Sequence, residues 1–191
     1  MTALLTRFRR RVSGTVRPLA EDDWVDLLRH ARRLSGEDLY TRFNIDPSDD
    51  DLVHWARVSR LNDVFGWYVD DVMRASVEVG FRGERAECAV TVEEAFRHTG
   101  IGRRLFDHAC EHARAQGASA MCMLTVCHGN GDIDRMLGRP GWSVSRSYAR
   151  SIILPNREPE NPLWLIRDLT AAPSLRARLA RLVPGLPAAQ D

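Results

Sequence analysis

Long apolar runs, paired cysteines and a dominant charge are all missing from this chain of 191 residues. No stretch of about 18 apolar residues occurs, so a membrane-spanning helix is not expected. The formal charge is +1, which gives no global field to draw in nucleic acid or an anionic membrane, and neither is expected as a partner. None of Cys88, Cys110, Cys122 and Cys127 forms a Cys-x-x-Cys pair, and three of them sit inside apolar periodic segments. That pattern argues against a disulfide framework or a zinc knuckle. It predicts buried, reduced thiols and a cytoplasmic protein. Residues 1–12 carry four arginines but no apolar core or small-residue cleavage site of a secretory signal, so 1–14 reads as a basic N-terminal extension.

What is present suits one domain with a substantial core. A strand is expected over 15–19. Glu21, Asp22 and Asp23 supply dipole chemistry for a helix running to about Leu34, with Trp24, Leu27, Leu28, Ala31 and Leu34 at helical spacing. Ser35-Gly36 reads as a break, 36–43 as a short turn of helix, and Pro47-Ser48 with the acids 49–51 as the start of another helix. The period then changes to two. After a candidate strand at 65–69, Ala75, Val77, Val79 and Phe81 alternate along 74–82, and Ala86, Cys88, Val90 and Val92 alternate along 85–92. Gly83-Glu84 between them suits a two-residue type II′ turn, which places Glu87 opposite Gly80 with open space above it.

A helix is expected over 99–116, with Ile101, Leu105, Phe106, Ala109 and Ala113 as its apolar arc and Gly117 closing it. The apolar run 120–127 reads as a strand covered on both faces. Strand–helix–strand order over 85–127 implies a parallel pair. A short helix near 133–137 and strands at about 142–147 and 148–154 follow. Pro155, Pro159 and Pro162 then mark the start of an arm, 155–191, that holds an apolar stretch, 163–169, and a leucine-striped, arginine-rich helix over 174–183. That helix packs on its own domain or docks a partner, a lipid surface or a second subunit.

The segment from Val90 to Arg103 carries the chemistry. A strand ends at Val92 and a helix begins near Gly100, and helix starts present unpaired N–H groups and positive partial charge that attract phosphate. Gly100 and Gly102 remove side chains where a pyrophosphate approaches the backbone, or serve only a tight turn. Arg97, Arg103 and Arg104 add positive charge. The missing lysine and third glycine rule out a Walker loop and a full dinucleotide fingerprint.

Arg97-His98-Thr99-Gly100-Ile101-Gly102 resembles the Arg/Gln-x-x-Gly-x-Gly/Ala motif of the GNAT N-acetyltransferases. It stands where that family has it, between the second strand of a hairpin and a central helix, and the likeness in element order covers roughly 15–154. The resemblance implies a mixed α/β (α+β) GNAT fold. Its sheet is mostly antiparallel, with about six or seven strands, a splayed parallel pair in the middle and about four flanking helices. It implies that backbone around Arg97, His98, Thr99, Gly100, Ile101, Gly102 and Arg103 holds the pyrophosphate of acetyl-CoA. Val90, Thr91 and Val92 pair with the pantetheine arm, and Asn130 touches it. The implied activity is acetyl transfer to a primary amine, a protein lysine or a small molecule, by direct attack in a ternary complex.

The segment Ala86-Glu87-Cys88-Ala89-Val90 is similar to the strand in bacterial protein-lysine acetyltransferases where a Glu acts as base, and residues 34–43 resemble a segment bordering their substrate groove. Glu87 is therefore the candidate catalytic base. The plainer reading is a solvated charge paired with Arg85, and Glu93 and Glu94 are weaker alternatives as base. One departure stands out. Four residues before Gly141-Trp142, where many of these enzymes have a tyrosine acid, this chain has Leu137. An acyl-CoA-binding or scaffolding module without turnover is the alternative. His108 and His112 fit the His-x-x-Glu-His pattern of a zinc site. The sequence offers no convincing third ligand, so no metal is expected.

Overall fold

The computed structural model describes residues 12–59, 62–125, 141–145, 151, 153 and 163–170. Strand β1 (Thr15–Pro18) leads through a 3-10 turn into three helices, α1 (Trp24–Ala31), α2 (Gly36–Phe43) and α3 (Asp49–Val58). Strands β2 (Asp63–Val69), β3 (Val72–Arg82) and β4 (Arg85–Val92) follow. Then come α4 (Ile101–Ala115), β5 (Ala120–Thr125), β6 (Trp142–Ser145) and β7 (Leu163–Asp168).

Capping decides the helix starts. Ser35, expected as a breaker, caps α2 instead. Its hydroxyl accepts from the backbone N–H of Asp38, and the Asp38 carboxylate accepts from the backbone N–H of Ser35. Such a reciprocal box turns the short turn expected at 36–43 into a two-turn helix, which Asn44 ends in the left-handed conformation at φ 56°. Ser48 and Asp51 start α3 in the same way.

The described strands form one sheet in the order β1-β2-β3-β4-β5-β7-β6. Strands β1 to β4 are an antiparallel meander, β4 and β5 are parallel, and β7 pairs antiparallel with both β5 and β6. Both hairpin turns of the meander have two residues. At Gly83 φ is 59°, as a type II′ turn requires, whereas Asp70 and Asp71 both have positive φ, the type I′ pattern. Leu163–Asp168, expected in the arm beyond residue 154, is instead a strand inside the sheet. Buried Trp164 and Leu165 hold it there between β5 and β6. Residues 1–11 of the basic extension expected over 1–14, the short helix at 133–137 and the tail helix lie outside the described residues.

The sheet separates two cores. Ala75, Val77, Val79, Ala86, Cys88 and Met121 face Ile101, Leu105, Ala109 and Ala113 of α4, so the expected apolar arc is the buried one. On the other face Leu27, Leu28, Ala31, Leu52 and Ala56 of α1 and α3 meet Val64, Tyr68 and Met73. Met73 reaches that face through a bulge, since Ala75 pairs with Trp67 and Met73 with Tyr68, which leaves Arg74 as an extra residue. Each large apolar side chain buried this way contributes on the order of 1.5–3 kcal/mol.

Candidate active site

Strand β4 is paired along its full length on one side only. Its ladder with β3 runs from Arg82↔Arg85 to Ala75↔Val92. Its parallel ladder with β5 stops at Glu87↔Cys122, although β5 continues to Thr125. The two strands therefore part beyond Glu87, and among the described residues no pairing joins them there. A strand edge opened inside a sheet offers N–H and C=O groups to an extended, amide-bearing ligand. Val90, Thr91 and Val92 lie along this opened stretch.

The glycine turn follows at its end. Gly100 is the N-cap of α4 with φ 89° and ψ 3°, and no side chain caps the helix. An added Cβ at Gly100 would meet nothing within 4 Å. Left-handed backbone, open space and uncapped N–H groups at Ile101, Gly102 and Arg103 together make a place for an anion. His98 is left-handed too, at φ 60°, and exposed. The Thr99 hydroxyl donates to the Phe96 carbonyl at 2.6 Å.

Gly102 has a packing role besides. A Cβ there would sit 3.3 Å from Val92 Cγ2, so this glycine lets α4 pack close on β4. The three arginines part company as well. Arg104 lies over the Trp67 ring, and Arg97 pairs with Asp38 and with the Val92 carbonyl. Arg103, in the first turn of α4, has its side chain 64% exposed and lies 3.7 Å from Asp107.

Glu87 stands at the apex where β4 and β5 part. It pairs with Gly80, as the turn register requires, but the space above it is not open. Glu87 is only 4% exposed, and Ser151 Oγ donates to its Oε1 at 2.6 Å. A carboxylate held by a hydroxyl in a dry pocket is an oriented proton acceptor.

The alternative acids are placed differently. Glu94 is exposed. Glu93 is buried and accepts from Arg33 at 2.7 Å, Arg74 at 3.2 Å and His30 Nδ1 at 3.3 Å. Burial pushes its carboxyl up, but these three partners outweigh it and hold it below the ordinary range. His30, which its place in the α1 pattern does not single out, is fully buried. Its Nε2 lies 2.8 Å from Thr91 Oγ1, which in turn contacts Ser76 Oγ at 2.9 Å. With Nδ1–H donating to Glu93, Nε2 accepts from the threonine hydroxyl, and α1 is fastened to the opened strand.

Burial lowers the His30 pKa although Glu93 works against it. The unfolded chain then binds a proton near 6.5 that the folded chain refuses, so stability rises with pH in that window. The stabilisation from a neutral His30 is complete above about pH 6.5 and is lost progressively as pH falls from there toward the lower folded-state value. Urea unfolding at about pH 7.5 and about pH 5.5 should show a larger acid loss in the wild type than in His30→Gln. Equal losses would mean the ring is not buried neutral.

His108 and His112 pack edge-on against Phe65, with ring centroids 4.6 and 5.0 Å away, and His112 Nε2 lies 2.6 Å from Asp63 Oδ2. Among the described residues no three His, Cys, Asp or Glu are placed to share a metal ion. Cys88 and Cys110 are buried free thiols, and Cys122 is buried as well. Burial drives the Cys88 thiol well up and that of Cys110 to about 12, so neither is a nucleophile near neutral pH. Asn130, Leu137 and Cys127 lie outside the described residues.

A sequence profile for the Acetyltransferase (GNAT) family matches residues 19–137 of the chain. Among solved structures, the GNAT domain of S. lividans PAT is similar at a TM-score of 0.63 and 20% identity, over 81% of this chain and 90% of that one. The yncA protein of Salmonella typhimurium, solved with its cofactor acetyl-CoA, is similar at 0.59 and 18%, over 85% and 99%. The paiA N-acetyltransferase of Thermoplasma acidophilum, in complex with coenzyme A, is similar at 0.58 and 16%, over 82% and 99%. Among curated proteins, none matches the chain in sequence. At such identities the structures speak for the fold, a seven-stranded mixed sheet with its parallel pair inside.

Proposed function

This chain belongs to the acetyltransferase (GNAT) family, and from that premise we propose that it moves an acetyl group from acetyl-CoA to a primary amine, a protein lysine or a small-molecule amine. The observation that carries the proposal is the parting of β4 and β5 beyond Glu87, which ends on the uncapped, left-handed glycine start of α4. In this reading the pantetheine arm lies along Val90–Val92 and the pyrophosphate meets the N–H groups of the first turn of α4. Backbone from Arg97 to Arg103 and the Arg103 side chain line the phosphates, and Asn130 touches the arm.

The amine arrives on the face of β4 that carries Glu87. Its nitrogen attacks the thioester carbonyl, the N–C bond forms and the C–S bond breaks, and the second proton that the nitrogen sheds as the amide forms passes to the departing thiolate, which leaves as the coenzyme A thiol. Glu87 takes the proton that the ammonium must lose. Burial pushes the Cys88 and Cys110 thiols up, so neither of these two offers a thiolate for an acyl-cysteine intermediate. Free buried thiols also fit a reducing, cytoplasmic location. A second reading, a domain that binds acyl-CoA without turnover, has Leu137 behind it, because an aliphatic side chain cannot protonate the leaving thiolate. Thiol release from acetyl-CoA with a lysine peptide and a polyamine separates the two.

The cradle is tested at Gly100, where open space admits a side chain and Asn and Asp are the residues that best tolerate left-handed backbone. Gly100→Asp adds a negative charge where the phosphates are proposed to lie, and Gly100→Asn adds the same bulk without it. The aspartate variant should bind acetyl-CoA on the order of tenfold more weakly than the asparagine variant by calorimetry. Equal affinity for the two would sink the phosphate assignment.

A further inference from the structure

Arg97 opens the glycine motif, yet its guanidinium is occupied on the protein. Nε donates to the Val92 carbonyl at 3.3 Å, and a terminal nitrogen forms an ion pair with Asp38 Oδ2. Asp38 closes the capping box of α2, where it also accepts from the Ser35 hydroxyl at 2.6 Å. Burial raises the Asp38 carboxyl, but Ser35 and Arg97 outweigh it and keep it low. One side chain thus bridges the last residue of β4, the first turn of α2 and the loop that presents Gly100.

That loop needs holding. Between Val92 and α4 it carries two left-handed residues, His98 and Gly100, within three positions. Its near end is fixed at Glu93, whose N–H donates to the Arg74 carbonyl and whose carboxylate is held by Arg33 and Arg74. Its far half is held by Thr99 on the Phe96 carbonyl and by Arg97. An N–H cradle binds an anion well only when its donors are aimed before the anion arrives.

We infer that Asp38 and Arg97 are a positioning pair: α2 sets the aim of the glycine turn through them, and Arg97 governs acetyl-CoA affinity by this contact instead of by touching phosphate. The inference rests on the proposed use of Val90–Arg103 as the acetyl-CoA cradle. It couples the two substrates, because α2 packs against β4 on the face that carries Glu87. An acceptor that displaces α2 thereby alters cofactor binding, and the converse holds by linkage.

Two roles for Arg97 give opposite signs at Asp38. Were Arg97 a phosphate ligand, Asp38→Asn would release it and tighten binding. As a positioning pair, Asp38→Asn loosens the turn and weakens it. Calorimetry with acetyl-CoA on wild type, Asp38→Asn, Arg97→Ala and the double variant decides. Each single change should weaken binding about five- to tenfold, and the double change no further, as for one shared interaction. The salt dependence of Kd in Arg97→Ala should run parallel to wild type, because no phosphate contact is lost.

Ser35→Ala removes the two bonds its hydroxyl makes with Asp38 but leaves the ion pair, so it should weaken binding less than Asp38→Asn does and separates helix capping from positioning. If Asp38→Asn does not fold, Arg97→Gln takes its place. The charge is lost, so a phosphate contact predicts a shallower salt dependence of Kd, whereas positioning predicts weakened binding with the salt dependence of wild type. Binding by Asp38→Asn at or above wild-type strength, or additive losses in the double variant, overturns the inference. A wild-type protein that does not bind acetyl-CoA overturns the cradle itself, a distinct failure.

Discussion

Glu87→Gln is expected to lower turnover about 10²- to 10⁴-fold, the usual worth of a positioned general base, with acetyl-CoA affinity unchanged. The substitution is close to isosteric, and the glutamine oxygen still accepts the hydrogen bond that Ser151 gives to Glu87. Gly80 opposite imposes no side-chain contact on the new amide. What is removed is the ability to take a proton. An amine acceptor reaches the site mainly as ammonium near neutral pH, and an amide cannot relieve it of that proton. Thiol release with saturating acetyl-CoA and a lysine peptide measures the loss, and calorimetry checks the affinity. Wild-type turnover in Glu87→Gln would remove the residue from the chemistry. A parallel loss of acetyl-CoA affinity would mean instead that Glu87 shapes the cofactor path. For the non-catalytic reading, neither protein releases thiol and both bind alike.

Register explains why the place of Glu87 in the sheet was legible in the sequence, whereas its role as candidate base came from the resemblance of residues 86–90 to the strand of protein-lysine acetyltransferases. A two-residue turn at Gly83-Glu84 fixes every pairing between β3 and β4, so Glu87 had to meet Gly80 once the turn was recognised. The period-two runs and the α4 arc were legible for the same reason, since one buried face forces one pattern. Features made by distant contacts left no such trace. Ser151 bonds Glu87 across 64 positions, and no local pattern announces the partner. Arg97 and Asp38 likewise meet only because α2 folds over the end of β4. The bulge at Arg74 hid the start of β3, since it breaks the alternation before Ala75. Leu163–Asp168 follows three prolines, which mask a central strand behind the signature of a linker. The packing role of Gly102 was not legible in the motif, and only the distance to Val92 shows it.

Arg42→Met should be the most damaging single change to stability, at about 3–5 kcal/mol, because it strands a buried carboxylate. Arg42 of α2 and Glu78 of β3 form an ion pair in which both are buried, at 8% and 4% exposure. Trp55 Nε1 and Asn62 Nδ2 also donate to Glu78, at 3.3 and 2.7 Å, and the Arg42 guanidinium lies over the rings of Phe43 and Trp55. Without Arg42 the two neutral donors remain, too weak to offset the desolvation of a full charge. Arg42→Met with Glu78→Gln should cost less than Arg42→Met alone, since no lone charge is left inside, although Trp55 and Asn62 donate to different carboxylate oxygens and the single amide oxygen keeps only one of those bonds. Equilibrium urea unfolding at neutral pH reads both. A loss within about 0.5 kcal/mol for the single change would show that the pair is solvated, as for an exposed pair. The consequence reaches the site, because Arg42 anchors the last turn of the helix whose first turn carries Asp38. Against a total stability of roughly 5–15 kcal/mol, removing that anchor leaves α2 little to stand on, and the aim of the glycine turn should fail before the whole domain unfolds.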